Sequence, residues 1–314
     1  LMQTSTDFRF NVFEMMSALV YSRLVCPCSK SRTFDEVVPK LYEKYDFSLN
    51  QLYRGLEYIG SEYEKIIEIY NHQIRRKYGF DTSHTYFDCT NFYFEIDRED
   101  DWRKKGPSKE NREDPIVGLG LLLDTDQIPI GMKLFPGNES EKPVIRKVID
   151  DLKHRYSVTG RTIQIADKGL NCAENIAHAL RAGDGYIFSK SVKQLPETEK
   201  TWVLLQNDYK DVLDKKSEYG DCAKYVTFSS TDKAGNDTDG KVKVTLNQKL
   251  INKSIELAGY NMLITSEISM SMEAVYNAYH NLWRIEESFR IMKNSCSSES
   301  VFEFMHGFKL AEIS

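Results

Sequence analysis

Three carboxylates stand out by where they fall in the sequence. Asp88 lies in the middle of the apolar, β-branched stretch TYFDCTNF. Asp167 ends the apolar run TIQIAD, just before Lys168 and Gly169. Glu286 sits in YHNLWRIEESFRIMKN, residues 279–294. An ionised acid inside an apolar strand is costly unless it is paired, hydrogen-bonded or bound to a cation. Three acids gathered at one place would repel one another, and a divalent cation relieves that repulsion. Hard oxygen donors with no supporting His or Cys favour Mg²⁺ or Mn²⁺ over zinc. Two such ions about 3.5–4 Å apart stabilise both the attacking and the leaving oxygen of a phosphodiester displaced in line. Taken singly, each acid has a plainer reading: a strand-end Asp is usually a turn or cap residue, and a helical Glu near Arg and Lys is usually a solvated ion pair.

The segment around Glu286 separates these readings. Tyr279, Trp283, Glu286, Arg290 and Lys293 recur every three or four residues, which is one stripe of a helix. Leu282, Ile285, Phe289 and Met292 form a second stripe that is wholly apolar. Tyr279, Glu286 and Lys293 are spaced by seven, nearly two helical turns, with a drift of only about 20°. A solvated face has no need of two large aromatics just before its Glu. Trp283 either stacks on a base or packs.

The elements that must position these acids can be read from pattern. Residues 1–80 read as helices. Capping boxes are expected at Thr33–Glu36, Ser48–Gln51 and Ser61–Glu64, with stops at Gly60 and Gly79. The order short helix, turn, short helix, long helix to about Tyr78 fits either a helix-turn-helix touching DNA, with Gln51 and Arg54 near the start of its middle helix, or a bundle that only packs. From His84 the texture changes. HTYFDCTNFYFEI, IVGLGLLLD and IPIGMKLF read as three consecutive antiparallel strands, the last two joined by the turn Asp124–Gln127. Between the first two lies a polar, basic loop, DWRKKGPSKENRED. GNESEKPVIRKVIDDLKHRY reads as a helix with Pro143 in its first turn, RTIQIAD as a buried strand, NCAENIAHALRAG as a helix and GYIFSKSV as a strand. Residues 191–258 read as a β-rich insertion, with TDKAGNDTDG as the turn between KYVTFSS and KVKVTL. GYNMLITS restores a strand, and one long helix from about Met272 to Asn294 closes the pattern. Without the insertion, three antiparallel strands are followed by alternating helices and strands, an α/β mixed sheet with helices on both faces.

Bulk properties add little. The 314 residues suffice for two or three modules, and the formal net charge of −5 lends no support to nucleic-acid binding, so any basic surface must be local. Six cysteines are scattered without a CxxC, and read as thiols in a reducing compartment. No apolar run approaches the ~18 residues of a membrane span, and LMQTSTDFRF lacks a signal-peptide pattern.

Together these motifs resemble the DDE transposases of bacterial insertion sequences, in the large insertion-sequence-four superfamily, and are most similar to its subgroup sixteen-thirty-four. YFDCTNFYFE resembles the motif of the first acid, IQIADKGLNCAENI that of the second, and Tyr279, Glu286 and Lys293 match the third, with Leu282 standing where the family has Arg. Arg284 and Arg290 are the nearby cations. GPSKENRED and FPGNESE, the latter with Asn138 and Glu139, also resemble stretches of the subgroup.

The resemblance implies a ribonuclease-H-like core in two parts, 81–190 and 259–294, split by the insertion. It implies that Asp88, Asp167 and Glu286 are catalytic metal ligands for Mg²⁺ or Mn²⁺, as two ions. Tyr279, Arg290, Lys293, Trp283 and Arg284 would bind DNA. It further implies water-driven cleavage that frees a 3′-hydroxyl, attack of that hydroxyl on target DNA, and a homodimer on double-stranded transposon ends in a bacterial, nucleoid-associated cytoplasmic setting. The likeness stops after Lys293, and residues 295–314 form an atypical tail expected from truncation or frameshift. Two other readings stay open. One is an inactive relic that retains only DNA binding, and the other a ribonuclease-H-like nuclease that nicks without joining.

Overall fold

The computed structural model describes residues 8–110, 113–155, 160–191, 226–229, 243–246, 248–258 and 260–295. Three helices come first: α1 (Val12–Val25), α2 (Leu49–Ser61) and α3 (Tyr63–Tyr78), with short helical turns between Lys30 and Lys40. Asn11 caps α1 by accepting from the N–H groups of Phe13 and Glu14. Ser48 and Gln51 form the expected reciprocal capping box at α2, which engages the Gln51 side chain.

The other two boxes are absent. Ser61 is the last residue of α2, and its hydroxyl donates to the Tyr58 carbonyl. Gly60 is a buried helical residue, not a stop. Thr33 is buried and donates to the Cys28 carbonyl, while Ser29 caps the short helix ahead of it. Gly79 does end α3, at φ +76°, a conformation glycine adopts without strain. Met15, Leu52 and Leu56 form the core of this region, ringed by Phe10, Leu19, Phe34, Phe47, Leu49 and Tyr53.

The sheet follows. Strands β1 (His84–Tyr93), β2 (Ile116–Leu123) and β3 (Pro129–Pro136) are antiparallel neighbours. After helix α4 (Val144–Arg155) come β4 (Ile163–Ala166), helix α5 (Ala173–Arg181) and β5 (Gly185–Lys190). Next are β6 (Val226–Ser229), β7 (Lys243–Leu246), helix α6 (Gln248–Glu256), β8 (Met262–Thr265), helix α7 (Met272–His280) and helix α8 (Trp283–Ser295). The large sheet has the order β3-β2-β1-β4-β5-β8. β4 runs parallel to β1 and to β5.

This α/β order, three antiparallel strands continued by parallel ones, is the ribonuclease-H-like arrangement. Tyr86 and Phe87 point to opposite faces of β1. Phe87 lies beside Gly120 and Val144 of α4, whereas Tyr86 meets Asn281 and Arg284. Helices therefore cover both faces.

The chain clusters into two compact units, residues 1–188 with 265–314, and residues 189–264. Within the second, β6 and β7 pair as an antiparallel hairpin, Val226 opposite Leu246, and α6 follows. The expected turn TDKAGNDTDG and the tail 296–314 lie outside the described residues.

The edge strand β3 is covered from within the first unit. Leu122 pairs with Gly131 and Leu123 with Pro129, so Ile130 is an extra, bulged residue. Its carbonyl accepts from Asn71 Nδ2 of α3 at 2.6 Å. The long helix read as the end of the N-terminal region thus serves the sheet, satisfying a backbone group that the bulge leaves without a strand partner.

The closing helix is not continuous. At Asn281 and Leu282 the backbone tightens: Leu282 N–H donates to Tyr279 O, Arg284 N–H to Asn281 O and Ile285 N–H to Leu282 O. Three-residue hydrogen bonds in succession replace the four-residue ladder and divide the helix into α7 and α8. The apolar stripe survives, with Leu282, Ile285 and Phe289 buried.

The polar loop between β1 and β2 is held by backbone. Lys104 and Ile116 exchange both N–H···O bonds, and Gly137 N–H donates to Trp102 O. A Cβ on Gly137 would overlap the carbonyl oxygens of Ile116 and Lys104. Gly137→Ala is expected to destabilise the chain by about 1–3 kcal/mol, read as a lower midpoint in thermal melts; an unchanged midpoint would show that the loop is not anchored there.

Candidate active site

The parallel register of β1 and β4 brings two of the three acids together. Phe87 lies opposite Ala166, so Asp88 and Asp167 are the next residues on neighbouring strands, where β4 ends. Asp167 leads into the turn Lys168–Leu170, its carbonyl accepting from Leu170 N–H at 3.0 Å. Helix α7 packs against β4 and α8 against β1. Tyr279, at the end of α7, donates its hydroxyl to Asp167 Oδ1 at 3.1 Å.

Asp88 is the costly residue. Burial pushes its carboxyl up to about 6; Lys109 and the Cys89 N–H lower it, and the nearby Asp167 and Glu141 carboxylates raise it. Its hydrogen bond among the described residues comes from Cys89 N–H, at 2.7 Å to Oδ1. The Lys109 ammonium stands 3.8 Å from the same oxygen and 3.7 Å from Glu141 Oε1, and donates to the Cys89 carbonyl.

Another buried acid of the sheet region shows the contrast. Asp184 is fully buried and satisfied by Lys153 Nζ at 2.6 Å, Gln164 Nε2 at 2.9 Å and Thr162 N–H at 3.2 Å. Asp184 is a structural acid. Asp88 has a charge deficit beside a second carboxylate, a setting that a divalent cation with oxygen preference would relieve. Two neighbouring carboxylates are the donor type a hard divalent cation takes, with water and substrate oxygens completing its shell.

Glu286 is placed otherwise. It is exposed on the first turn of α8, and among the described residues no group of three or more His, Cys, Asp or Glu side chains gathers closely enough to hold a metal ion. The acids whose charge Asp88 feels are Asp167 and Glu141. The remaining stripe residues divide. Trp283 is half-exposed with the Arg284 guanidinium 5.7 Å from its ring centroid. Arg290 pairs with Glu287 at 2.5 Å, and Lys293 pairs with Glu110 at 2.8 Å. Lys109, Glu110 and Glu141 carry no signal of their own in the sequence beyond lying in GPSKENRED and FPGNESE, stretches that resemble the subgroup.

The Asp88 shift has a direct consequence for stability. A carboxyl whose folded pKa of about 6 exceeds its unfolded value of about 3.9 stabilises the fold only while protonated. That contribution is complete below about pH 4 and is lost as pH rises through about 6. Asp88→Asn is therefore expected to raise stability at about pH 7.5 by about 1–3 kcal/mol, with the gain vanishing near pH 4. Melts of the two proteins at both pH values test this; a gain independent of pH would locate the strain elsewhere.

Comparison with known proteins places this geometry. The family described as Transposase DDE domain matches residues 79–302. No curated protein matches the chain. Among solved structures, a piggyBac transposase synaptic complex with hairpin DNA is similar at TM-score 0.46 and 12% identity, over 96% of this chain and 63% of that one. The Mos1 transposase paired-end complex with left transposon end gives TM-score 0.24 and 12% identity, over 59% of this chain and 60% of that one. This chain thus spans less than two thirds of the length of either. The family match takes in both parts of the sheet and both of its paired acids, and the chain belongs to the DDE transposase domain family.

Proposed function

We propose that this chain cleaves DNA strands and transfers them at insertion-sequence ends, in a reaction that depends on a divalent metal. The observation that carries the reading is the adjacency of Asp88 and Asp167 on parallel strands, with the burial of Asp88 outweighing the charge of its cationic partner, Lys109. Asp88 and Asp167 would hold Mg²⁺ or Mn²⁺, as two ions, with Glu286 as third acid supplied from α8. When bound, the ions neutralise charge on the scissile phosphate and its attacking and leaving oxygens.

The chain's own groups do the rest. The Tyr279 hydroxyl fixes the orientation of the Asp167 carboxylate, as outer partners of metal ligands do. Ile285 and Phe289 hold α8 to the sheet, so that Glu286, Arg290 and Lys293 are presented from a fixed backbone. Lys293, Arg290 and Arg284 would meet phosphates of double-stranded transposon ends, and Trp283 would stack or pack beside them. Assembly as a homodimer on paired ends, in a bacterial nucleoid, belongs to the same proposal. No helix among the described residues is long and apolar enough to cross a membrane.

A second reading, an inactive relic that keeps DNA binding, draws support from the exposed position of Glu286 outside any three-acid group. The two readings part in one assay. With Mn²⁺ and supercoiled plasmid, nicking is expected from the purified chain and is expected to be lost in Asp88→Ala and Asp167→Ala. Tyr279→Phe should lower it about 10–100-fold. Nicking that survives either Asp substitution would refute the assigned roles. Salt-sensitive DNA binding without metal-dependent cleavage would establish the relic reading.

A further inference from the structure

Two consecutive loop residues pair with the two charged halves of the site. Lys109 reaches Asp88 Oδ1 at 3.8 Å and Glu141 Oε1 at 3.7 Å, and is held by the Cys89 carbonyl. Glu110 accepts from Lys293 Nζ on α8 at 2.8 Å. A cation thus stands where the acid of β1 needs one, and an anion stands where the helix presents a cation. Both pairs are partly exposed, so water and ions can reach them. Their energies are modest, as expected of exchangeable contacts.

We propose that Lys109 and Glu110 form a two-sided ionic latch, resident counter-ions that occupy the site until a divalent cation replaces the ammonium and a DNA phosphate replaces the carboxylate. The proposal rests on the functional reading above and names the residues that regulate it. The two residues are adjacent, so withdrawing one loosens the other. Divalent cation and duplex DNA should therefore bind with positive coupling, each raising the affinity for the other by the same factor. The anchoring of the loop at Lys104 and Ile116 keeps it beside the site after release. Lys109 is then free to meet a phosphate, while Glu141 is freed to turn toward the cation beside Asp88.

Isothermal titration of Mn²⁺ and fluorescence anisotropy with an arbitrary duplex of about 30 base pairs test both sides, on the full chain. Lys109→Met removes a competing cation and is expected to tighten Mn²⁺ binding about fivefold or more, the low end of coupling between sites. Glu110→Gln releases Lys293. It is expected to tighten duplex binding without metal and to steepen the dependence of log K on log salt by about 0.9, one additional phosphate contact. Adding Lys293→Met to Glu110→Gln should abolish that gain. Thermal melts confirm that each variant folds, and Lys109→Arg, which keeps the charge, should retain the wild-type Mn²⁺ affinity.

The two levels of failure are distinguishable. Mn²⁺ binding that is lost in Asp88→Ala but unchanged or weakened in Lys109→Met would overturn the latch and leave the acid site standing. Equal Mn²⁺ binding by wild type, Lys109→Met and Asp88→Ala would overturn the metal reading and the latch together. Weaker duplex binding by Lys109→Met with unchanged Mn²⁺ affinity would make Lys109 a phosphate grip and overturn the latch. A Glu110→Gln protein with wild-type salt slope would overturn its second side.

Discussion

The carboxylate of Asp88, in the strand where the antiparallel and parallel halves of the sheet meet, is the constraint around which this site is arranged. A charge in such a position loses most of its hydration, and its energy depends on what else is near. Nearby groups pull both ways. Burial is the largest influence and raises the pKa to about 6; Asp167 and Glu141 push the same way, while Lys109 and the Cys89 N–H oppose it. Asp184 shows that the same fold can fully satisfy a buried acid, with an ammonium and two further donors within hydrogen-bonding distance. The deficit at Asp88 is therefore local. A divalent cation would relieve it.

The fold converts this local deficit into a site through register. β1 and β4 are far apart in sequence but parallel in the sheet, so one residue past the pair Phe87–Ala166 two acids become neighbours. The segment after β8 then brings two helices back over those strands. α7 delivers Tyr279 to Asp167, and α8 is fixed on β1 by Ile285 and Phe289. The tight turn at Asn281 and Leu282 lets the two helices serve different strands. With a straight helix, Tyr279, Glu286 and Lys293 would share one line; the turn gives Tyr279 to Asp167 while Lys293 goes to Glu110.

Much of this was legible because it depends on pattern. The order of three strands followed by alternating helices and strands follows from alternation and from glycine and proline punctuation. The Ser48 capping box is a purely local device, and it forms. What could not be read depends on competition between local and distant partners. Ser61 has the right spacing for a capping box, yet Gly60 stays helical and α2 runs one residue further, so Ser61 turns back to Tyr58. The break at Leu282 likewise leaves no glycine or proline in the sequence. The Tyr86 side chain hydrogen-bonds with Asn281 at the break, a partner distant in sequence. The acids Asp88 and Asp167 were legible because a charge in an apolar strand is conspicuous. Lys109, Glu110 and Glu141 were not, because a charged residue in a charged loop looks like any solvated residue until its partner is known.

Those loop residues also resolve an oddity of composition. On the proposed reading, a chain with formal net charge −5 meets a polyanion only through basic groups that are local. Here the cation on the closing helix is neutralised by a carboxylate, and the carboxylate on the central strand is accompanied by an ammonium, both drawn from one dipeptide of the loop. Neither pair is deep enough to be strong, and each has the sign that the proposed metal or phosphate would match. Weak, exposed pairs contribute little to holding a fold together. Their value lies in lowering the cost of keeping a desolvated acid and a surface cation ready, in a geometry from which both can be released.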